Sequence, residues 1–73
     1  MIEVRFFATL RDGRGKVIQV DAEKAAVAGD VIRLCEIKPE EVAILLINGF
    51  HSKPEDPVKD GDQINLYPPV GGG

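Results

Sequence analysis

The residues of this 73-residue sequence whose types and spacing can do chemistry stand at its end, in Pro68-Pro69-Val70-Gly71-Gly72-Gly73. Two prolines favour a stiff polyproline II exit, and three glycines give a thread with no side chain to clash and no Cβ to restrict the backbone. At about 3.3 Å per residue this segment reaches roughly 20 Å, against a radius of gyration near 11 Å expected for a domain of this length. The carboxylate of Gly73 can then enter a partner's buried active site while the domain stays outside. Glycine-rich ends are ordinarily frayed termini. Here the stiffening comes before the thinning, and both follow directly on a core strand.

The other reactive side chains read as structural. Cys35 has no second cysteine to pair with and falls on the apolar stripe of the single helical stretch, with nothing local to supply the electropositive setting a reactive thiol needs. His51 follows a turn and lacks a companion at metal-ligand spacing, so it reads as a solvated histidine and no metal site is expected. Asp60 and Asp62 flank Gly61, where aspartates are favoured for their own turn hydrogen bonds.

The elements that must position the tail are few. One domain is all that this length allows, and a chain of this size buries only about 60% of its extended surface. That leaves little room for the roughly 300 Å³ that a small-molecule pocket needs, which favours a carrier, binder or subunit over a self-sufficient enzyme. A net charge of −3 with scattered cations opposes nucleic-acid binding. No apolar run approaches a membrane span, and the single cysteine fits a reducing compartment, so a cytoplasmic location is expected.

Ile2 to Thr9 alternates, with Ile2, Val4, Phe6 and Ala8 inward and Phe7 on the opposite face. After the glycine-bearing loop at 11–15, Lys16 to Val20 resumes a strand that should pair antiparallel with the first. A helix is expected at about 26–36, on a stripe of Val27, Val31, Leu34 and Cys35, ending before Pro39. Its start is poorly signalled, and Gly29 inside it costs about 1 kcal/mol relative to Ala. Val42 to Ile47 is a continuous apolar strand; Asn48-Gly49 is a type I′ turn signal with a short return after it, and 53–57 is irregular. Gln63 to Tyr67 alternates, with Ile64 and Leu66 inward and Tyr67 outward. The result is an α+β domain over residues 1–67, a mixed sheet of four to five strands with one helix on one face, followed by a flexible tail over 68–73.

The closing segment Asp60-Gly61-Asp62-Gln63-Ile64-Asn65-Leu66-Tyr67-Pro68-Pro69-Val70-Gly71-Gly72-Gly73 resembles the end of the ubiquitin-like β-grasp sulfur carriers, the MoaD and ThiS group. Met1 to Arg11 is similar to the opening of the molybdopterin-synthase small subunit, and Ile47-Asn48-Gly49 to a strand and turn common to both branches. These stretches cover somewhat more than a third of the chain. Pro68-Pro69 and Phe6-Phe7 favour the molybdopterin branch, whereas the interval between the second strand and Asn48 is nearer the thiamine-pathway length.

The resemblance implies a ubiquitin-like β-grasp fold and a sulfur carrier that is no enzyme itself and binds no cofactor. An adenylyltransferase related to ubiquitin-activating enzymes, MoeB- or ThiF-like, would use ATP to join AMP to Gly73, and sulfur would replace AMP to leave a thiocarboxylate. The acceptor would be an enzyme such as a MoaE-like large subunit of molybdopterin synthase. Gly72 matches the obligatory partner of Gly73, Gly71 sits where small residues are tolerated, and Pro68 and Pro69 complete the recognised tail. Alternatives within the resemblance are thiamine-pathway or tRNA-thiolation carriers and ubiquitin-like modifiers that join lysines. A different class is a non-covalent β-grasp interaction domain with an inert tail. The resemblance also makes the first and last strands neighbours, so Phe7 and Tyr67 would form an aromatic docking patch beside the tail root. A wholly apolar strand must turn some side chains outward; either Ile44 or Leu45 should join them, and Leu45 is assigned to the patch.

Overall fold

A computed structural model describes residues 1–69. β1 (Ile2–Phe6) pairs antiparallel with β2 (Val17–Val20) and parallel with β5 (Gln63–Tyr67). β3 (Ile44–Ile47) pairs antiparallel with β5 on its other side and with the short β4 (Phe50–His51), giving the order β2-β1-β5-β3-β4. The first and last strands thus occupy adjacent, central positions. One helix, α1 (Ala28–Leu34), covers one face, and the inward residues Ile2, Val4, Phe6, Ile64 and Leu66 pack in one core with it. This is the mixed sheet with one helix expected of a β-grasp fold, with five strands.

β1 is shorter than the alternation implied. At Ala8 the backbone turns left-handed (φ 52°) into a 3-10 turn over Ala8–Arg11, which swings Leu10 into the core and leaves Ala8 exposed. The Asn48-Gly49 turn has both residues at positive φ, 52° and 87°, as a type I′ turn requires.

The helix is two residues shorter at each end than the expected 26–36, and its buried stripe is rotated. Ala28, Val31, Ile32 and Cys35 face the core at spacings of three, one and three, while Leu34 is 41% exposed. Its beginning is built partly by its own Asp30 and partly from afar. The Asp30 carboxylate accepts hydrogen bonds from the N–H groups of Ala26 and Val27 at 2.9 and 3.2 Å, and these bonds, with help from Arg33, hold its pKa below the usual value. The N–H groups of Ala28 and Gly29 donate to Asp56 and Pro54 carbonyls at 2.9 and 2.8 Å. A Cβ on Gly29 would sit 3.3 Å from the Pro54 oxygen, so glycine here admits the capping segment.

The other end closes as a Schellman motif with a non-glycine residue in the left-handed position, Glu36 (φ 59°). Ile37 N–H donates to the Ile32 carbonyl and Glu36 N–H to that of Arg33. The Arg14 guanidinium donates to the carbonyls of Cys35 and Glu36, oxygens that the helix end leaves without partners, and to that of Leu10 in the turn after β1.

Candidate functional site

The face of the sheet away from α1 carries the residues around the tail root. Parallel pairing of β1 and β5 sets Phe6 opposite Leu66 in the core, so the next residues along, Phe7 and Tyr67, emerge together on the outer side. Their rings stack, with centroids 4.3 Å apart and planes inclined by 8°. Phe7 N–H donates to the Leu66 carbonyl at 3.2 Å, which continues the ladder past the end of β1 and fixes the ring's position. Both aromatics are half-buried. The 3-10 turn that follows Phe7 returns Arg11 above its ring, 5.5 Å from guanidinium carbon to centroid, and Arg11 Nε donates to the Phe6 carbonyl at 2.9 Å.

On the other side of Tyr67 the antiparallel register with β3 places Ile44 opposite it and Leu45 opposite Leu66. Ile44 is 40% exposed and Leu45 only 6%. The assignment of Leu45 to the outer patch is therefore corrected: Leu45 is a core residue, and Ile44 extends the aromatic surface. The run of apolar residues in β3 has no alternation of its own, so its sidedness is decided by the register with β5. One outward row thus reads Ile44, Tyr67, Phe7, with Arg11 at its end. Leu46, Asn65, Arg5 and Val17 form the next row along the paired strands.

Tyr67 is the last residue of β5, and Pro68 and Pro69 follow it outside any regular element. The patch and the tail root are thus contiguous in the chain. Gly71, Gly72 and Gly73 lie outside the described residues.

The remaining reactive side chains have structural tasks. Cys35 is buried at the end of α1, and burial pushes its thiol up to about 11, with Arg14 offsetting a little of this. Burial and the raised pKa both disfavour the thiolate, the form of cysteine that reacts. His51 is exposed on β4. The two aspartates of the turn before β5 divide their work. Asp60 holds the Met1 ammonium in an ion pair, and the ammonium's hydrogen bond and charge lower the Asp60 pKa. Asp62, 6% exposed, accepts from the Lys59 N–H and the Asn48 side-chain amide, both at 2.9 Å. Asn48 in turn accepts from the Gln63 N–H at 2.9 Å. Asp62 thereby ties the Asn48-Gly49 turn to the start of the strand that ends in the tail.

Sequence reasoning named Ile44 only as the alternative to Leu45, and it missed Arg11 and the Asp62 tie. No spacing signal in the sequence links Arg11 in its loop to the Phe7 ring. No helix among the described residues is long and apolar enough to cross a membrane.

Comparison with known proteins gives the arrangement its context. The sequence model of the ThiS family matches residues 4–73. Small archaeal modifier protein 3 of Haloferax volcanii is 33% identical over 90 aligned positions, spanning 99% of this chain and 98% of that protein. Among solved structures, the SAMP1 of the same organism superposes with a TM-score of 0.76 at 25% identity, covering 99% of this chain and 98% of that one. A chain in the complex of subunits 1 and 2 of the molybdopterin-converting factor from Helicobacter pylori superposes with a TM-score of 0.66 at 27% identity, covering 99% and 97%. With the β-grasp sheet and the family match both extending over nearly all of its length, the chain belongs to the ThiS family of ubiquitin-like sulfur carriers and modifiers.

Proposed function

We propose that the protein is a sulfur carrier activated at Gly73 and working, without catalysis of its own, as the small subunit of a molybdopterin-synthase-like complex. The observation that carries this reading is the contiguity of the Phe7–Tyr67 stack with Pro68 and Pro69: a docking surface and a thin leash leave the fold at the same point. Likeness to the Helicobacter pylori complex supports the molybdopterin branch.

A MoeB- or ThiF-like adenylyltransferase binds the outer face and receives the tail. A carboxylate oxygen of Gly73 attacks the α-phosphorus of ATP, an O–P bond forms and pyrophosphate leaves. A sulfur nucleophile supplied at the sulfide level then adds to the acyl carbon, and AMP leaves to give the thiocarboxylate. A MoaE-like acceptor enzyme reads the same patch and takes the tail into its own site. The carrier contributes position: sulfur on a fixed tether makes the attack on a docked precursor effectively intramolecular. Gly71 and Gly72 keep the thread narrow, and a side chain at position 72 would block the channel. In this reading ATP is the activating enzyme's substrate, and the carrier holds no cofactor.

The test is the intact mass of the protein isolated from its own cells, with the modified residue located by fragmentation. One oxygen-to-sulfur exchange at Gly73 is expected. An unmodified terminus, together with no AMP adduct when the activating enzyme and ATP are added, would place the protein among non-covalent interaction domains. Deleting Gly72 and Gly73 should abolish function, whereas an interaction domain would keep it.

A second reading rests on the 33% identity with small archaeal modifier protein 3. The same activated Gly73 would then be attacked by lysine amines of other proteins, giving isopeptide conjugates. Higher-mass species carrying this chain, lost when Gly72 and Gly73 are deleted, would establish that outcome.

A further inference from the structure

The chain contains four arginines, all among the described residues. Arg5 is ion-paired with Glu3 and Arg33 with Asp30, and Arg14 is spent on the backbone carbonyls of Cys35 and Glu36 at the end of α1 and of Leu10 in the turn after β1. Arg11 differs. It is exposed, its Nε is engaged by the Phe6 carbonyl, and among the described residues no carboxylate meets its guanidinium. The hydrogen bond and the contact with the Phe7 ring hold the plane in place, so the two Nη groups form a pre-set fork at the edge of the aromatic stack.

The charge around this fork runs against the rest of the chain. Residues 5–16 hold Arg5, Arg11, Arg14 and Lys16 against the single acid Asp12, in a sequence of net charge −3. The outer row is apolar from Ile44 to Phe7 and ends in a fixed cation that no carboxylate among the described residues meets. We infer that Arg11 is a specificity-determining contact of this face, pairing through its two Nη groups with an Asp or Glu carboxylate on the adenylyltransferase, whose apolar surface covers Ile44, Tyr67 and Phe7. A planar fork beside a flat apolar surface suits one carboxylate set in an apolar rim. A polyphosphate backbone would need several cations in a line and would meet the repulsion of the chain's net negative charge. Lysine could not take the place of arginine here, since an ammonium cannot bond the Phe6 carbonyl and still present two parallel donors.

This inference rests on the carrier reading and is tested in the same reaction. Pyrophosphate release during AMP transfer to the intact carrier, catalysed by the adenylyltransferase of its own cells, is measured as a function of carrier concentration. Arg11→Ala should raise the KM for the carrier about ten-fold with kcat nearly unchanged, Arg11→Glu more, and Arg11→Lys should recover only part of the loss. Added potassium chloride should raise the KM of the wild type more steeply than that of Arg11→Ala. Lys24→Ala, which removes an exposed cation away from this row, should match the wild type. An unchanged KM in Arg11→Ala and Arg11→Glu would overturn the inference while leaving the carrier reading intact. So would a fall in melting temperature that accounts for the loss in every Arg11 variant, which would make Arg11 a structural residue. A wild-type protein that accepts no AMP would overturn the carrier reading and this inference with it.

Discussion

The ring of Tyr67 lies parallel to that of Phe7 at a centroid separation of 4.3 Å, although the two residues come from opposite ends of the chain. Parallel pairing of β1 with β5 brings them together, and the tail leaves at the residue after Tyr67. The stack is thus both a seam between the central strands and a flat surface beside the point where Pro68 leaves the sheet.

A stacked pair of this kind contributes about 0.5–1.5 kcal/mol beyond the area it buries. A double-mutant cycle of Phe7→Ala and Tyr67→Ala, followed by urea unfolding, should return a coupling energy in that range. Phe7→Ala alone should weaken partner binding with little loss of stability. A large stability loss with unchanged binding would show that the stack serves the fold alone.

Ile44 and Leu45 are neighbours with opposite tasks. Leu45→Ala should cost about 2–5 kcal/mol of stability, the usual penalty for emptying a core leucine site. Ile44→Ala should cost much less, on the order of 1 kcal/mol or below, and should weaken docking. Denaturant unfolding and partner binding measured on both variants decide it; equal stability losses would contradict the assignment.

Glu36 occupies a left-handed conformation that costs a side-chain-bearing residue about 1–2 kcal/mol. Replacing it with glycine relieves that cost, less the extra freedom glycine has in the unfolded chain, so Glu36→Gly should stabilise the protein by about 0.5–1 kcal/mol. A raised urea midpoint at unchanged slope is the expected reading.

Burial raises the Cys35 thiol from 9.0 to about 11, which favours its neutral form in the folded state. The unfolded thiol binds fewer protons than the folded one between these values, so stability should fall as pH rises from about 9 to 11 and be unaffected by this group below that window. Cys35→Ser should flatten that part of the stability profile. Native protein at pH 8 should resist iodoacetamide and react once unfolded; rapid alkylation of the native state would contradict the burial.

Much of this was legible in the sequence. The alternation of Ile2, Val4 and Phe6 and of Ile64 and Leu66 marked the two central strands, and the Asn48-Gly49 pair marked its turn. These signals are local, because each depends on backbone preferences or on spacing within one element. The sequence alone thus determined the strands, the turn, the composition of the tail and the presence of Phe7 and Tyr67 on outward positions.

The tertiary structure decided what depends on partners distant in the chain. Helix α1 supplements its local caps with distant partners, the Asp56 and Pro54 carbonyls at one end and Arg14 at the other. An apolar run cannot say which of its residues face outward, so register with β5 had to choose Ile44 over Leu45. Arg11 gained its place only when the turn after Phe7 laid its guanidinium against the ring, since no spacing rule connects a cation in a loop to an aromatic face. Hydrogen-bond partners and strand register are set by which segments meet, and that meeting is a property of the folded chain.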